Sequence, residues 1–197
     1  MSEFSPFIVG LGGTTRPGSS SERLLRYALS AAEKQGARVQ LFDGPSLNLP
    51  LYAPEDLSRA DGAVALVEAL RQADGVMIAS PGYHGSISGL IKNALDYVED
   101  MAKDENVYLD GKGVGLIACA YGWQATGSTL NALRSITHAL RGWPTPLGVA
   151  INTAGQCLDP DGIPVDAAVR GQLEMLASQV IAFARWRKAG HVMTTPA

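Results

Sequence analysis

The feature that most constrains this chain is an alternation repeated five times, a short apolar run followed by a stretch with helical spacing. Residues 7–11, 38–42, 75–80, 113–120 and 147–151 read as strands. Residues 20–35, 61–73, 89–102, 129–140 and 165–187 read as helices, and in the first of them Leu24, Leu25 and Ala28 recur on one face. Strands that alternate with helices cannot pair as hairpins, so the pattern predicts a parallel sheet covered on both sides. The expected fold class is therefore α/β, a three-layer α/β/α sandwich on a five-stranded parallel sheet. The 197 residues, 46% of them apolar, suit one domain spanning 1–197, with flexible ends expected at 1–5 and 189–197.

In a sheet of this kind ligands gather beyond the carboxyl ends of the strands. The loop after the first run, Gly10-Leu-Gly-Gly-Thr-Thr-Arg-Pro-Gly-Ser-Ser-Ser21, carries what an anion cradle needs. Gly10, Gly12 and Gly13 are expected to admit close backbone approach, and the next helix presents its positive end from about Ser20. Thr14, Thr15, Ser19, Ser20 and Ser21 add hydroxyls, and Arg16 can fork two donors onto phosphate oxygens. Two common phosphate motifs fail here. Thr15 stands where a dinucleotide fingerprint needs its third glycine, and Ser19 follows Gly18 where a triphosphate loop needs lysine. What remains is a site for a terminal monophosphate. The competing reading is a Gly/Ser turn with an exposed arginine and a serine helix cap.

Bulk properties narrow the classes further. A formal charge of −3 argues against nucleic acid as a partner, and no apolar stretch approaches a membrane span. Cys119 and Cys157 are too few for a disulfide scaffold and have no zinc spacing; Cys119, inside an apolar run, reads as a buried small residue. The expected location is cytoplasmic. His138 and His191 have no partners at metal-ligand spacing, so no metal is expected. Lys92 and Asp96 have the spacing of a helical ion pair, and Glu22 and Asp61 sit where carboxylates complement a helix dipole.

Three segments taken together carry a resemblance. Gly13-Thr-Thr-Arg-Pro-Gly-Ser19, Leu49-Pro-Leu-Tyr52 and Ser80-Pro-Gly-Tyr-His-Gly-Ser-Ile-Ser-Gly-Leu-Ile-Lys-Asn-Ala-Leu-Asp96 resemble the NADPH-dependent FMN reductase family in order and spacing. The resemblance implies a flavodoxin-like sheet of order 2-1-3-4-5 and non-covalent FMN, with NADPH or NADH as reductant. It implies that Thr14, Arg16, Ser19 and Ser21 hold the phosphate, with Ser20 beside them, Thr14 replacing the more usual serine. It also implies that Pro81, Gly82, Tyr83, His84 and Gly85 run along the ribityl chain and isoalloxazine. Tyr121 and Gly122 fall in the third flavin-side loop, here poorer in glycine than the family pattern, and Trp123 either joins them or meets a neighbouring subunit. No side chain is expected to act as a catalytic acid or base, because hydride transfer needs alignment more than proton transfer. The activity the resemblance implies is NAD(P)H-dependent reduction through bound FMN of free flavin or another small acceptor, with a flavin-dependent monooxygenase as one recipient of the reduced flavin. The alternatives are a quinone or azo reductase, and a non-enzymatic flavodoxin-like electron carrier. A homodimer or homotetramer is the implied assembly.

Overall fold

The computed structural model describes residues 4–194, with side chains through residue 190. In chain order the elements are β1 (Phe7–Gly12), α1 (Ser20–Lys34), β2 (Arg38–Phe42), α2 (Asp61–Gln72), β3 (Gly75–Tyr83) and β4 (Ser86–Ile87). They continue with α3 (Gly89–Asp96), a 3-10 turn (Tyr97–Met101), β5 (Gly113–Ala120), α4 (Trp123–Ala139), β6 (Trp143–Asn152) and α5 (Ala167–Thr194). The order across the sheet is β2-β1-β3-β5-β6, every pair parallel, with β4 turned back antiparallel onto β3. The five long strands thus take the expected order, and the short β4 is an addition.

Strand periodicity divides the core between two faces. Phe7, Val9 and Leu11 of β1 enter a cluster built with α2, α3 and α4, while Ile8 enters one built with α1 and α5. Gly10 and Gly12 belong to this packing rather than to the anion cradle. A Cβ at Gly10 would stand 2.6 Å from Leu29 Cδ1, and one at Gly12 would stand 2.7 Å from Leu25 Cδ2. Their backbone is paired into the sheet against Leu41, Met77 and Ala79. They let α1 lie close on β1, which fixes where its amino end opens.

Several boundaries differ from those expected. β3 runs past Ser80 to Tyr83, because the chain folds back through a two-residue turn in which His84 (φ 50°) and Gly85 (φ 87°) both take left-handed conformations. The helix expected to reach residue 102 stops at Asp96 and tightens into the 3-10 turn. α4 starts at Trp123, six residues before the expected position 129. β6 starts at Trp143 and contains Pro144 and Pro146; it lies at the sheet edge, where proline removes no ladder bond, and its register shifts between Val114 and Leu116. α5 continues through Thr194, so residues 189–194 of the expected flexible end are helical, while 1–3 and 195–197 lie outside the described residues. His191, expected in the tail, lies on α5 with its side chain outside the described set.

Candidate functional site

The carboxyl ends of β1, β3, β5 and β6 converge on a cavity of about 160 Å³. Of the residues expected to bind cofactor, Thr14, Arg16, Ser19, Ser20, Ser21, Pro81, Gly82, Tyr83 and Tyr121 line it. His84 and Gly85 sit outside that lining at the exposed tip of the β3–β4 hairpin, and Gly122 stands behind it as the residue before α4. Cys119, Ala120 and Thr153 line the cavity without having been expected among the cofactor-binding residues. The first two are the last residues of a strand whose neighbouring loop was, and Thr153 arrives only through pairing of β6 with β5, its N–H donating to the Ala120 carbonyl at 2.9 Å.

The phosphate-like loop is held in shape by its own bonds. Ser19 caps α1, its Oγ accepting from the Glu22 N–H at 3.4 Å and lying 3.3 Å from the Ser21 hydroxyl. Thr14 Oγ1 accepts from the Arg16 N–H at 3.2 Å, and the Gly18 N–H donates to Glu22 Oε2 at 2.9 Å. Gly44, in the turn after β2, presses on this loop so closely that a Cβ there would overlap the Thr14 carbonyl. The backbone N–H groups of Ser20 and Ser21 open the first turn of α1, where no intrahelical acceptor exists. The Arg16 guanidinium is exposed and makes no hydrogen bond or ion pair with the described residues.

The opposite wall is shaped by packing. Gly82 has no room for a Cβ because Thr129 and Ala120 close over it. Ser80, fully buried, accepts from the Ser88 N–H at 3.0 Å and donates to the Pro81 carbonyl at 2.8 Å, tying β3 to the start of α3. Asn152 Oδ1 accepts from the N–H of Gly122 at 2.9 Å and of Ala154 at 3.0 Å, joining the two rim loops. Three aromatic side chains stay in water at these loops: Tyr83 is 52% exposed, Tyr121 82% and Trp123 68%. Burial, with the nearby Cys157 thiol as a smaller contribution, pushes the Cys119 thiol far up, so it lines the cavity as a protonated apolar group. Among the described residues no carboxylate or imidazole lines the cavity.

A larger groove of about 580 Å³ between α1 and α5 has a different character. Two pairs of its polar groups are matched to each other, Tyr27 to Glu174 at 2.7 Å and Ser178 to Gln35 at 3.0 Å. In the small cavity the Arg16 guanidinium, the hydroxyls and the amino end of α1 stand together as donors. Those donors fit FMN: a guanidinium, clustered hydroxyls and a helix amino end suit its monophosphate, and an open aromatic rim suits a planar ring.

The sequence matches the NADPH-dependent FMN reductase family over residues 6–156. The chain belongs to this family. It is 29% identical over 181 residues to the FMN-dependent NADPH-azoreductase of Staphylococcus saprophyticus, a match covering 88% of this chain and 92% of the relative. It is 33% identical over 138 residues to the FMN reductase (NADPH) of Escherichia coli, covering 68% of this chain and 63% of that one. In fold it is similar to FerB, an NAD(P)H:(acceptor) oxidoreductase of Paracoccus denitrificans, with a TM-score of 0.72 at 18% identity over 93% of this chain and 98% of that one.

Proposed function

We propose that this FMN reductase family member binds FMN in the cavity at the strand ends and uses NADPH to reduce free flavin or another small planar acceptor. The observation that carries the reading is the convergence there of Arg16, whose guanidinium no other side chain engages among the described residues, with the hydroxyls and open N–H groups of the α1 start. FMN held there would supply a two-electron relay between a nicotinamide and an acceptor.

The residues have distinct tasks in this reading. Arg16, Thr14, Ser19 and Ser21, with the N–H groups of Ser20 and Ser21, hold the monophosphate. Pro81, Gly82 and Tyr83 offer strand-end backbone along the ring, and His84 and Gly85 shape the hairpin that carries them. Tyr121, set by Gly122 and Asn152, flanks the mouth through which nicotinamide and acceptor enter in turn. With no carboxylate or imidazole in the lining among the described residues, the protein contributes alignment and exclusion of water rather than proton transfer.

A second reading, azo or quinone reduction, is favoured by the exposed rim of Tyr83, Tyr121 and Trp123, a surface suited to flat aromatic acceptors. The reductase reading extends to a cytoplasmic homodimer or homotetramer of one-domain subunits, able to hand reduced flavin to a monooxygenase; light scattering of the flavin-loaded protein tests the assembly. Anaerobic stopped-flow mixing with NADPH, and separately with NADH, tests the activity: the visible flavin absorbance should bleach. Steady-state rates with free FMN, a quinone and an azo dye then rank the acceptors. A flavin that stays oxidised with both nicotinamides overturns the proposal.

A further inference from the structure

One buried charge beside the cavity has no part in that account. Glu22, in the first turn of α1, keeps its side chain only 5% exposed. Its Oε2 accepts the Gly18 N–H at 2.9 Å, and its Oε1 accepts from Arg26 Nε at 2.8 Å. Arg26 is half in solvent and also reaches Asp43 at 3.3 Å. Shaping the loop requires only an acceptor for the Gly18 N–H, a task the amide oxygen of glutamine also performs. The full negative charge also pairs with Arg26 and complements the helix dipole, and it has a further consequence.

That consequence follows from position. The open N–H groups of Ser20 and Ser21 and the carboxylate of Glu22 lie in the same helical turn, so an arriving phosphate shares the positive helix end with an anion already there. Glu22 does not line the cavity, but like charges sharing one helix end in a partly buried setting repel, and one half-exposed arginine offsets only part of this. We propose that Glu22 is an electrostatic brake on the phosphate of FMN: it holds the loop ready while lowering affinity for the dianion, so that the flavin exchanges during turnover. This rests on the monophosphate reading of the loop.

The test titrates the flavin-free full-length protein with FMN and with riboflavin, which lacks the phosphate, following quenching of flavin fluorescence. Glu22→Gln should tighten FMN about tenfold, equivalent to ~1.4 kcal/mol, and slow its release, while leaving riboflavin unchanged. Arg26→Gln, at an exposed position that leaves the core untouched, should weaken FMN about threefold by exposing the phosphate to more of the Glu22 charge, again sparing riboflavin. A Glu22→Gln protein that binds FMN no more tightly, or gains equally for both flavins, overturns the brake. Should Glu22→Gln lose its far-UV circular dichroism, the arginine variant decides, and equal effects on both flavins overturn the proposal. If the wild type binds FMN and riboflavin equally, the monophosphate reading itself has failed, an outcome distinct from failure of the brake.

Discussion

Two arginines in loops of this protein stand in opposite conditions. Arg59 is engaged on every side: Nε and Nη2 bond the two Asp100 oxygens at 2.8 Å each, Nη1 donates to the Ala53 and Asp56 carbonyls, and the guanidinium lies 4.9 Å from the Tyr52 ring centroid. Arg16 has no such partner among the described residues. The first fastens the connection carrying Leu49-Pro-Leu-Tyr52, which Asn93 also grips through the Tyr52 N–H at 2.9 Å and the Pro50 carbonyl at 2.9 Å. The second extends into solvent beside a cavity lined with hydroxyls. A satisfied cation shapes the fold, whereas an unsatisfied one on a braced loop is available to a ligand.

The comparison is broken most severely at Gly44. Gly44→Ala forces the loop backbone off Thr14, so stability should fall by about 1–3 kcal/mol and FMN affinity should fall with it. Urea unfolding together with flavin titration measures both. A variant that loses neither would mean that the bracing of the loop is not needed.

Exchanging the two arginines for alanine sharpens the contrast. Arg16→Ala removes a charge-assisted donor pair, worth roughly 1.5–3 kcal/mol, so FMN should weaken about ten- to hundredfold with the urea midpoint unchanged. Arg59→Ala should do the reverse, lowering the urea midpoint and leaving FMN affinity as it was, because its loop does not line the cavity. If both variants lost flavin affinity alike, the division between structural and ligand-directed arginines would fall.

Ser19 belongs to both categories and should show intermediate behaviour. Ser19→Ala removes the α1 cap, costing about 1 kcal/mol, and also removes a hydroxyl from the cavity. A modest loss in both unfolding midpoint and FMN affinity is expected. A change confined to stability would remove Ser19 from the phosphate site.

How much was legible in the sequence follows the same division between local and distant causes. The parallel sheet and its two covered faces could be read because apolar periodicity is local, whereas the strand order came only with the family resemblance. That the hydroxyl loop and Arg16 line the strand-end cavity could be read because these residues lie together in one segment after β1. The α4 start was missed because Gly122 and Gly127 look like loop residues, while what holds Gly122 is Asn152, thirty positions away in sequence. Thr153 was hidden for the same reason. Gly10 and Gly12 were misassigned because a glycine that lets a helix approach and one that lets a phosphate approach look alike in sequence; only Leu25 and Leu29 facing them distinguish the two. The β3–β4 hairpin did carry a local sign, the His84-Gly85 pair that a two-residue turn favours.

The smallest expected effect is a pH dependence that marks the fastened arginine. Hydrogen bonds from Arg59, reinforced by its charge and opposed by burial, hold the Asp100 carboxyl below the ordinary carboxylate range. A group whose folded pKa lies below its unfolded value of about 3.9 stabilises the fold at higher pH, and that contribution is lost as pH falls through the folded pKa. Asp43 and Asp56 are held low as well, by Ser46 and Ser58, so Asp100 accounts for only part of the acid sensitivity. Asp100→Asn should therefore lower the melting temperature near neutrality while flattening its decline below about pH 4, with FMN affinity at neutral pH unchanged. Melting curves at a series of acidic pH values, run in parallel for Arg59→Ala, check this: the two variants should share the flattened acid limb, since each removes one half of the same pair. An Asp100→Asn protein that declines in acid as steeply as the wild type would show that Arg59 holds the loop by stacking on Tyr52 and Tyr97 rather than through the carboxylate.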